Sequence, residues 1–335
     1  MSGRRSWDSP LPPRPGAAVF VVAGLFFAVP GLVMTFLRIV PPRDDGTALL
    51  AAFIPYGIIG YALALLCFGV ALLLARRRTA LMLVSVIVAA LLALHLSWIA
   101  PLFVPDRRPA TTKPLTVFSL NMHHGQADPA QVAQQASTAD VVILVEATES
   151  ALRALKPFEW DVRFPYSVGD VPGSISDTVI YSRFLLTHTA SLPETSFQQH
   201  VTTASAPGIP DLRIIAAHPC NPYCGRGLWA SEHAVLQSSV EQNVDQPLMV
   251  VGDLNAVDDH GPMRALRRAG MKSATDVVGA GWLPTYPANR RVPPLLPIDH
   301  VLLNDQLTAT SISTVHIDGT DHLGLVAAVA GASKP

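Results

Sequence analysis

Acids, amides and imidazoles recur at the ends of apolar runs in the C-terminal two thirds of this chain. Asn121 follows LTVFSL, Glu146 ends VVILVE, His218 ends LRIIAAH, and Asp253 and Asn255 follow LMVVG. Asp299 opens DHVLL, while Asp321 and His322 open HLGLVAAV. One such residue is an ordinary turn or cap. Eight of them at strand ends can converge on one rim of a sheet. Carboxylate and amide oxygens suit a hard cation such as Mg²⁺, and the set offers no soft ligand. A histidine partnered by an aspartate can take a proton from water near neutral pH. Together these groups suit hydrolysis of an anionic ester, whose charge repels hydroxide until a cation and a placed base offset it.

The elements that must position them are short. LTVFSL (115–120), DVVILVE (140–146), DTVIYS (177–182), DLRIIAAH (211–218), PLMVVGD (247–253), IDHVLL (298–303) and HLGLVAAV (322–329) are apolar and β-branched, and they predict strands. Asp128 before Pro129 signals a helix start for DPAQVAQQAST. LWASEHAVLQSSVEQN (228–243) is amphipathic at helical spacing, and GPMRALRRAG ends in a glycine stop. Strands outnumber helices without strict alternation, which predicts two packed sheets flanked by helices rather than one doubly wound sheet.

The N-terminal third is different in kind. Half of the 335 residues are hydrophobic and 15% are charged, against roughly 25% charged in soluble proteins. Residues 17–37, 49–75 and 79–104 contain no Asp, Glu, Lys or Arg, and each run reaches the roughly 20 residues a helix needs to span a bilayer. Three such runs exclude a cleaved signal as the full explanation. His95, in the third, reads as an interface residue near Trp98. Arg4, Arg5 and Arg14 precede the first run, and Arg76, Arg77 and Arg78 join the second to the third. The other side carries Arg38, Arg43, Arg107 and Arg108, with Asp44 and Asp45. This bias puts the N-terminus in the cytoplasm and residues 105–335 outside, on the cell membrane. The expected order is a cytoplasmic segment (1–16), a membrane domain of three transmembrane helices contacting lipid (17–104), a linker (105–113) and a catalytic domain (114–331).

In order, SLNMHHG, VILVEAT, DTVIYSR, AAHP, GDLNA, IDHVLLND and GTDHLGLVA resemble the endonuclease/exonuclease/phosphatase superfamily. Its members include deoxyribonuclease I-like nucleases, abasic-site endonucleases, sphingomyelinases and inositol-polyphosphate 5-phosphatases. The resemblance covers about residues 114–331. It implies an α+β fold, a four-layer α/β/β/α sandwich, here preceded by three transmembrane helices. It also implies Mg²⁺-dependent hydrolysis of a phosphate ester, with Mn²⁺ as a substitute. By position, Glu146 matches the metal-binding glutamate, with Asn121 beside it and Asp321 as the second acid near the metal. Asp253 and Asn255 match a pair that handles a proton and holds the phosphate. His322 matches the general base, oriented by Asp299, and His218 matches a donor to the scissile phosphate. The sequence departs from the pattern at Val145, where the family often has Gln, and at Thr320 and Gly324, where it often has Ser and Pro. No catalytic position is lost. His123 and His124 read as loop residues that shape the site, and His300 as a strand residue beside it.

AAHPCNPYCGRG (216–227) places two of the three cysteines beside His218. No further ligands complete a zinc site, and the spacing is one residue longer than a CxxC redox pair. In an oxidising exterior, Cys220 and Cys224 are expected to close a small loop by a disulfide, while Cys67 packs in a span. From residue 105 onward Lys and Arg total 16 and Asp and Glu 22, an acidic balance unlike that of proteins gripping long nucleic acid. A nuclease-like action on nucleic acid therefore stands beside the alternative of a phospholipid or sphingomyelin-type phosphodiesterase or a phosphatase. An idle extracellular binding module is the non-enzymatic alternative, opposed by the full polar set. Nothing in the sequence specifies a protein partner.

Overall fold

The structure is a computed structural model that describes residues 15–42, 44–76, 78–171, 173, 176–225 and 227–333. The expected cytoplasmic segment, with Arg4, Arg5 and Arg14, lies outside the described residues as far as residue 14, as do Arg43 and Arg77. The described residues form two compact units.

The first unit holds α1 (Pro15–Ile39). α2 (Asp45–Ala51) follows it in sequence but belongs to the second unit, and α3 (Gly57–Leu74) and α4 (Thr79–Ile99) complete the first. These three long helices are long and apolar enough to cross a membrane, with mean hydropathies of 2.4 to 2.5. Their outer faces are apolar, as at Phe26, Leu66 and Leu83, the all-round pattern of a helix in lipid. Glycines let α1 and α3 approach closely: a Cβ on Gly31 would sit 2.7 Å from the Tyr61 ring. Thr35 Oγ1 bonds Tyr61 Oη at 2.6 Å and His95 Nε2 at 2.9 Å. His95 is thus buried between helices, its ring 4.7 Å from that of Trp98.

The second unit comprises Pro41–Ala52 and the chain from Ala100 onward. It contains β1 (Leu115–Asn121), α5 (Pro129–Gln135), β2 (Val141–Ala147), α6 (Glu149–Leu155), α7 (Trp160–Arg163), β3 (Tyr166–Val168) and β4 (Asp177–Ser182). It continues with β5 (Leu186–Ser191), β6 (His200–Ala206), β7 (Ile209–Ala217), α8 (Leu228–Asn243), β8 (Leu248–Asp253) and α9 (Gly261–Arg268). β9 (Lys272–Ser273), α10 (Ala274–Val278), β10 (Asp299–Leu303), β11 (Leu307–Val315) and β12 (Gly324–Gly331) complete it. One sheet runs β11-β12-β1-β2-β4-β3 and the other β5-β6-β7-β8-β10-β9.

Burial explains why the central strands are apolar throughout. On β2, Val141, Ile143 and Val145 point into the core between the sheets, where they meet Ile214, Val251 and Val301. Val142 and Leu144 face the other way, against Trp160, Val132 and Leu155 of the outer helices. The second sheet likewise backs onto Trp229, Leu236 and Met263 of α8 and α9. Helices, two sheets and helices make the four layers expected. All seven expected strands and the three expected helices are present, and Asp128 caps α5 by accepting from Gln131 N at 2.8 Å. The boundaries differ from expectation at two points. Residues 41–52 pack with the second unit, because Ala48 and Ala51 are fully buried there. The expected linker is docked: Asp106 N donates to Val277 O and Thr111 N to Gly331 O.

Candidate active site

Topology brings the polar strand ends to one edge. β1 and β2 are parallel, as are β7 and β8, so Asn121, Glu146, His218 and Asp253 stand at matching C-terminal ends. β10 runs antiparallel to β8 and pairs Asp299 directly with Asp253. β12 runs antiparallel to β1, which puts His322 at the same edge. Strict alternation would send Glu146 toward the outer helices with Leu144. A bulge against β4 between Leu144 and Ala147, with Glu146 at φ 52°, turns the carboxylate to the rim instead. Gly252 is required where β8 meets β7: its φ is 142°, and a Cβ there would lie 2.1 Å from Ala217 O.

Three bonds set the centre. Asn121 Nδ2 donates to Glu146 Oε1 at 3.1 Å and to Asp253 Oδ2 at 3.0 Å, while its Oδ1 accepts from His123 N at 2.9 Å. In this structure Asn121 bridges two carboxylates. His322 Nδ1 lies 2.8 Å from Asp299 Oδ2, and His322 Nε2 lies 3.7 Å from Asp253 Oδ2. His218 stacks on Phe197, its Nε2 3.7 Å from Glu146 Oε1 and 4.0 Å from Asp253 Oδ2. Asn255 is also left-handed, at φ 48°. Its Nδ2 donates to Pro219 O at 3.0 Å, because its chain must join the loop after β8 to the loop after β7.

The electrostatics follow from burial beside like charge. Burial and the neighbouring Asp299 push the Asp253 carboxyl up to about 6, against the opposing pull of His322 and His218. Burial of the His322 ring opposes its charged form, but Asp299, Asp253 and Asp321 outweigh that and push it up to about 10. Burial raises Glu146, and the imidazole of His218 with the Asn121 bond more than reverses it, leaving its pKa lowered.

His123 and His124 reach two of the site's acids from their loop. Both are left-handed, at φ 48° and 54°, a strained backbone for a side-chain-bearing residue. His123 Nδ1 lies 2.9 Å from Asp321 Oδ1, and His124 Nδ1 lies 3.3 Å from Glu146 Oε2. His300 stays beside the site, its Nε2 2.8 Å from Ala256 O. Sequence reasoning missed Tyr286, whose ring lies 4.9 Å from that of His322, and Phe197 behind His218. It also missed Thr320, which donates from Oγ1 to Asn121 O at 2.7 Å and accepts from His322 N. Thr320 adjoins a motif and was findable; the aromatics carry no local signal.

The donor set fits a divalent cation. Among the described residues, every ion-pair partner within 4.0 Å of Glu146, Asp253, Asp299 and Asp321 is a histidine. Among the described residues no lysine or arginine lies within 4.0 Å of these four acids, which is the condition a hard cation relieves. Donor atoms of Asp253, Asp299 and His322 also lie within 4.8 Å of one another, but Asp299 Oδ2 is already engaged by His322. Glu146 and Asp321 are the more open carboxylates, with side chains 18% and 16% exposed. The disulfide between Cys220 and Cys224 is formed, and Cys67 is free.

Residues 118–322 match the Endonuclease/Exonuclease/phosphatase family. The chain belongs to this family. No curated protein matches the sequence. Among solved structures, an endonuclease/exonuclease/phosphatase from Beutenbergia cavernae is 18% identical with a TM-score of 0.52, over 67% of this chain and 73% of that one. TDP2 of D. rerio, complexed with single strand DNA product, is 18% identical with a TM-score of 0.52, over 65% and 99%. An endonuclease/exonuclease/phosphatase family protein from Bacteroides thetaiotaomicron is 13% identical with a TM-score of 0.53, over 66% and 100%. At these identities the likeness is one of fold. The family match begins in β1 and ends at His322, and so encloses all eight polar strand-end residues.

Proposed function

We propose that this chain is a membrane-anchored, metal-dependent phosphoesterase that hydrolyses a phosphodiester, with its catalytic unit on the outer face of the cell membrane. The observation that carries the reading is the His322–Asp299 pair at 2.8 Å, set beside Asp253, Glu146 and His218 on one sheet edge. Asp299 fixes Nδ1 of His322, so Nε2 faces the site as the atom that takes a proton from water. The water oxygen bonds phosphorus, the ester P–O bond breaks, and the leaving oxygen takes a proton from Asp253, whose raised pKa lets it hold one. His218 donates to a phosphoryl oxygen, where charge develops. Glu146 and Asp321, with Asn121 behind them, would hold Mg²⁺ or Mn²⁺, which when bound supplies positive charge to the phosphoryl group and weakens the acids' hold on the His322 proton.

The charge balance favours a lipid or small diester over long duplex nucleic acid. Beyond the acidic sequence balance, Arg267 of the basic cluster on α9 is already engaged, reaching Asp258 at 3.2 Å and Asp276 at 3.1 Å. The test is hydrolysis by the purified full chain of bis-p-nitrophenyl phosphate, sphingomyelin, phosphatidylcholine, DNA and RNA, with Mg²⁺, Mn²⁺ or EDTA. Cleavage that EDTA abolishes and that His322→Ala and Asp253→Ala lose is expected. Equal cleavage by the variants, or none by wild type, overturns the reading.

A further inference from the structure

We propose that Pro41–Ala52, the segment between the first two long helices, is a brace for the active site, acting through His260 as a positioning residue. The segment lies outside the region matched to the family, 118–322, yet it packs in the unit that holds the site. Its helix α2 is capped by Asp44, whose Oδ1 accepts from Thr47 N at 2.9 Å. Ala48 enters the core formed by Trp229, Leu254, Ala256 and Met263, and Ala52 packs on Val257 and Ile298. The residues that α2 covers are thus the underside of the loop running from Asp253 to His260.

One buried side chain joins the two. His260 Nε2 lies 2.9 Å from Ala48 O, and His260 Nδ1 accepts from Val257 N at 3.0 Å. A ring that accepts at Nδ1 must carry its proton on Nε2, so it is neutral and donates to Ala48 O. Burial agrees, holding the His260 pKa down to about 4. At the other end of α2, Asp45 Oδ2 accepts from Gly227 N at 3.4 Å, and α2 packs on the Pro222–Cys224 turn just beyond His218. Asn255 ties the same two loops together through Pro219 O. The loops bearing His218 and Asp253 therefore share one floor, and α2 is part of it. A shift of an ångström at such groups lowers turnover roughly a hundredfold.

The test compares the full chain in detergent with three variants: Pro41–Ala52 replaced by a Gly/Ser segment of equal length, His260→Ala, and His260→Asn. Asn can still accept from Val257 N but is too short to reach Ala48 O, so it separates the brace from the local turn. Expected are a fall in kcat of roughly tenfold to a hundredfold with KM little changed, and about tenfold faster amide exchange in 253–260 for all three. His260→Asn added to the replaced segment should lose nothing more, since the replacement already breaks the His260–Ala48 link through which the brace acts. Wild-type-like kcat and exchange in His260→Asn, or additive losses in the combined variant, overturn the proposal. The kinetic arm rests on the phosphoesterase reading. If wild type cleaves no substrate, that reading falls, and exchange alone decides the brace.

Discussion

Replacing Asp299 with Asn tests the base pair at its source. The His322–Asp299 contact is 2.8 Å long and both side chains are at most 5% exposed. Opposite unit charges at that distance attract by about 6 kcal/mol at an effective dielectric of about 20. The rise of His322 from its ordinary 6.5 to about 10 corresponds to roughly 5 kcal/mol at about 1.4 kcal/mol per unit. The Asp299 contact is thus the largest upward pull, and its loss leaves Asp253 and Asp321 alone against burial, so the pKa falls back toward 6.5. A raised folded-state pKa contributes stability that is complete below the unfolded value and lost as pH rises through the folded one. The window is therefore pH 6.5 to about 10. Denaturant unfolding of the full chain in EDTA, followed by tryptophan fluorescence, should show wild type losing several kcal/mol across that window, with about 5 as the ceiling. Asp299→Asn should lose markedly less there, since only Asp253 and Asp321 still raise His322, and its kcat with metal should fall about 10²- to 10⁴-fold as His322 loses its orientation. A variant with the wild-type pH slope, or with kcat within threefold of wild type, would refute the reasoning.

Gly252→Ala should destabilise the catalytic unit by roughly 2–5 kcal/mol, read from the urea midpoint, because its Cβ meets Ala217 O in a left-handed backbone. Glu146→Gln should weaken Mn²⁺ binding by at least about tenfold in calorimetry, through loss of one charged oxygen ligand. Asp299→Asn should weaken it far less. Alkylation of the denatured, unreduced chain should label Cys67 alone, and reduction should add Cys220 and Cys224. Labelling of all three without reductant would contradict the disulfide.

The strand-end acids and histidines were legible because both faces of the central strands are buried, so the first polar residue marks where the sheet stops. The same logic fails at the sheet margins. β5 (LTHTAS) and β11 (LTATSISTV) are edge strands with exposed positions, and their Thr- and Ser-rich sequences lack the apolar run that marks the central strands. Side-chain direction was also illegible. Asn121 and Asn255 were placed at the right strand ends, yet their amides point at Glu146, Asp253 and Pro219. Those directions are set by neighbours more than a hundred residues away, or on another strand. α2 escaped notice because its seven residues, DGTALLA, adjoin an apolar run and merge with it by composition.

The membership of α2 has a topological consequence. The chain leaves the catalytic unit at Ala52 and returns to it at Ala100. A path that begins and ends on one side of a sheet of lipid pierces it an even number of times. On the proposed anchoring, with the catalytic unit wholly on one side, α3 and α4 traverse the bilayer as a pair or not at all, whatever their individual hydropathies. The side of that unit relative to the stretch just ahead of α1 then depends on α1, and an epitope placed there reports it.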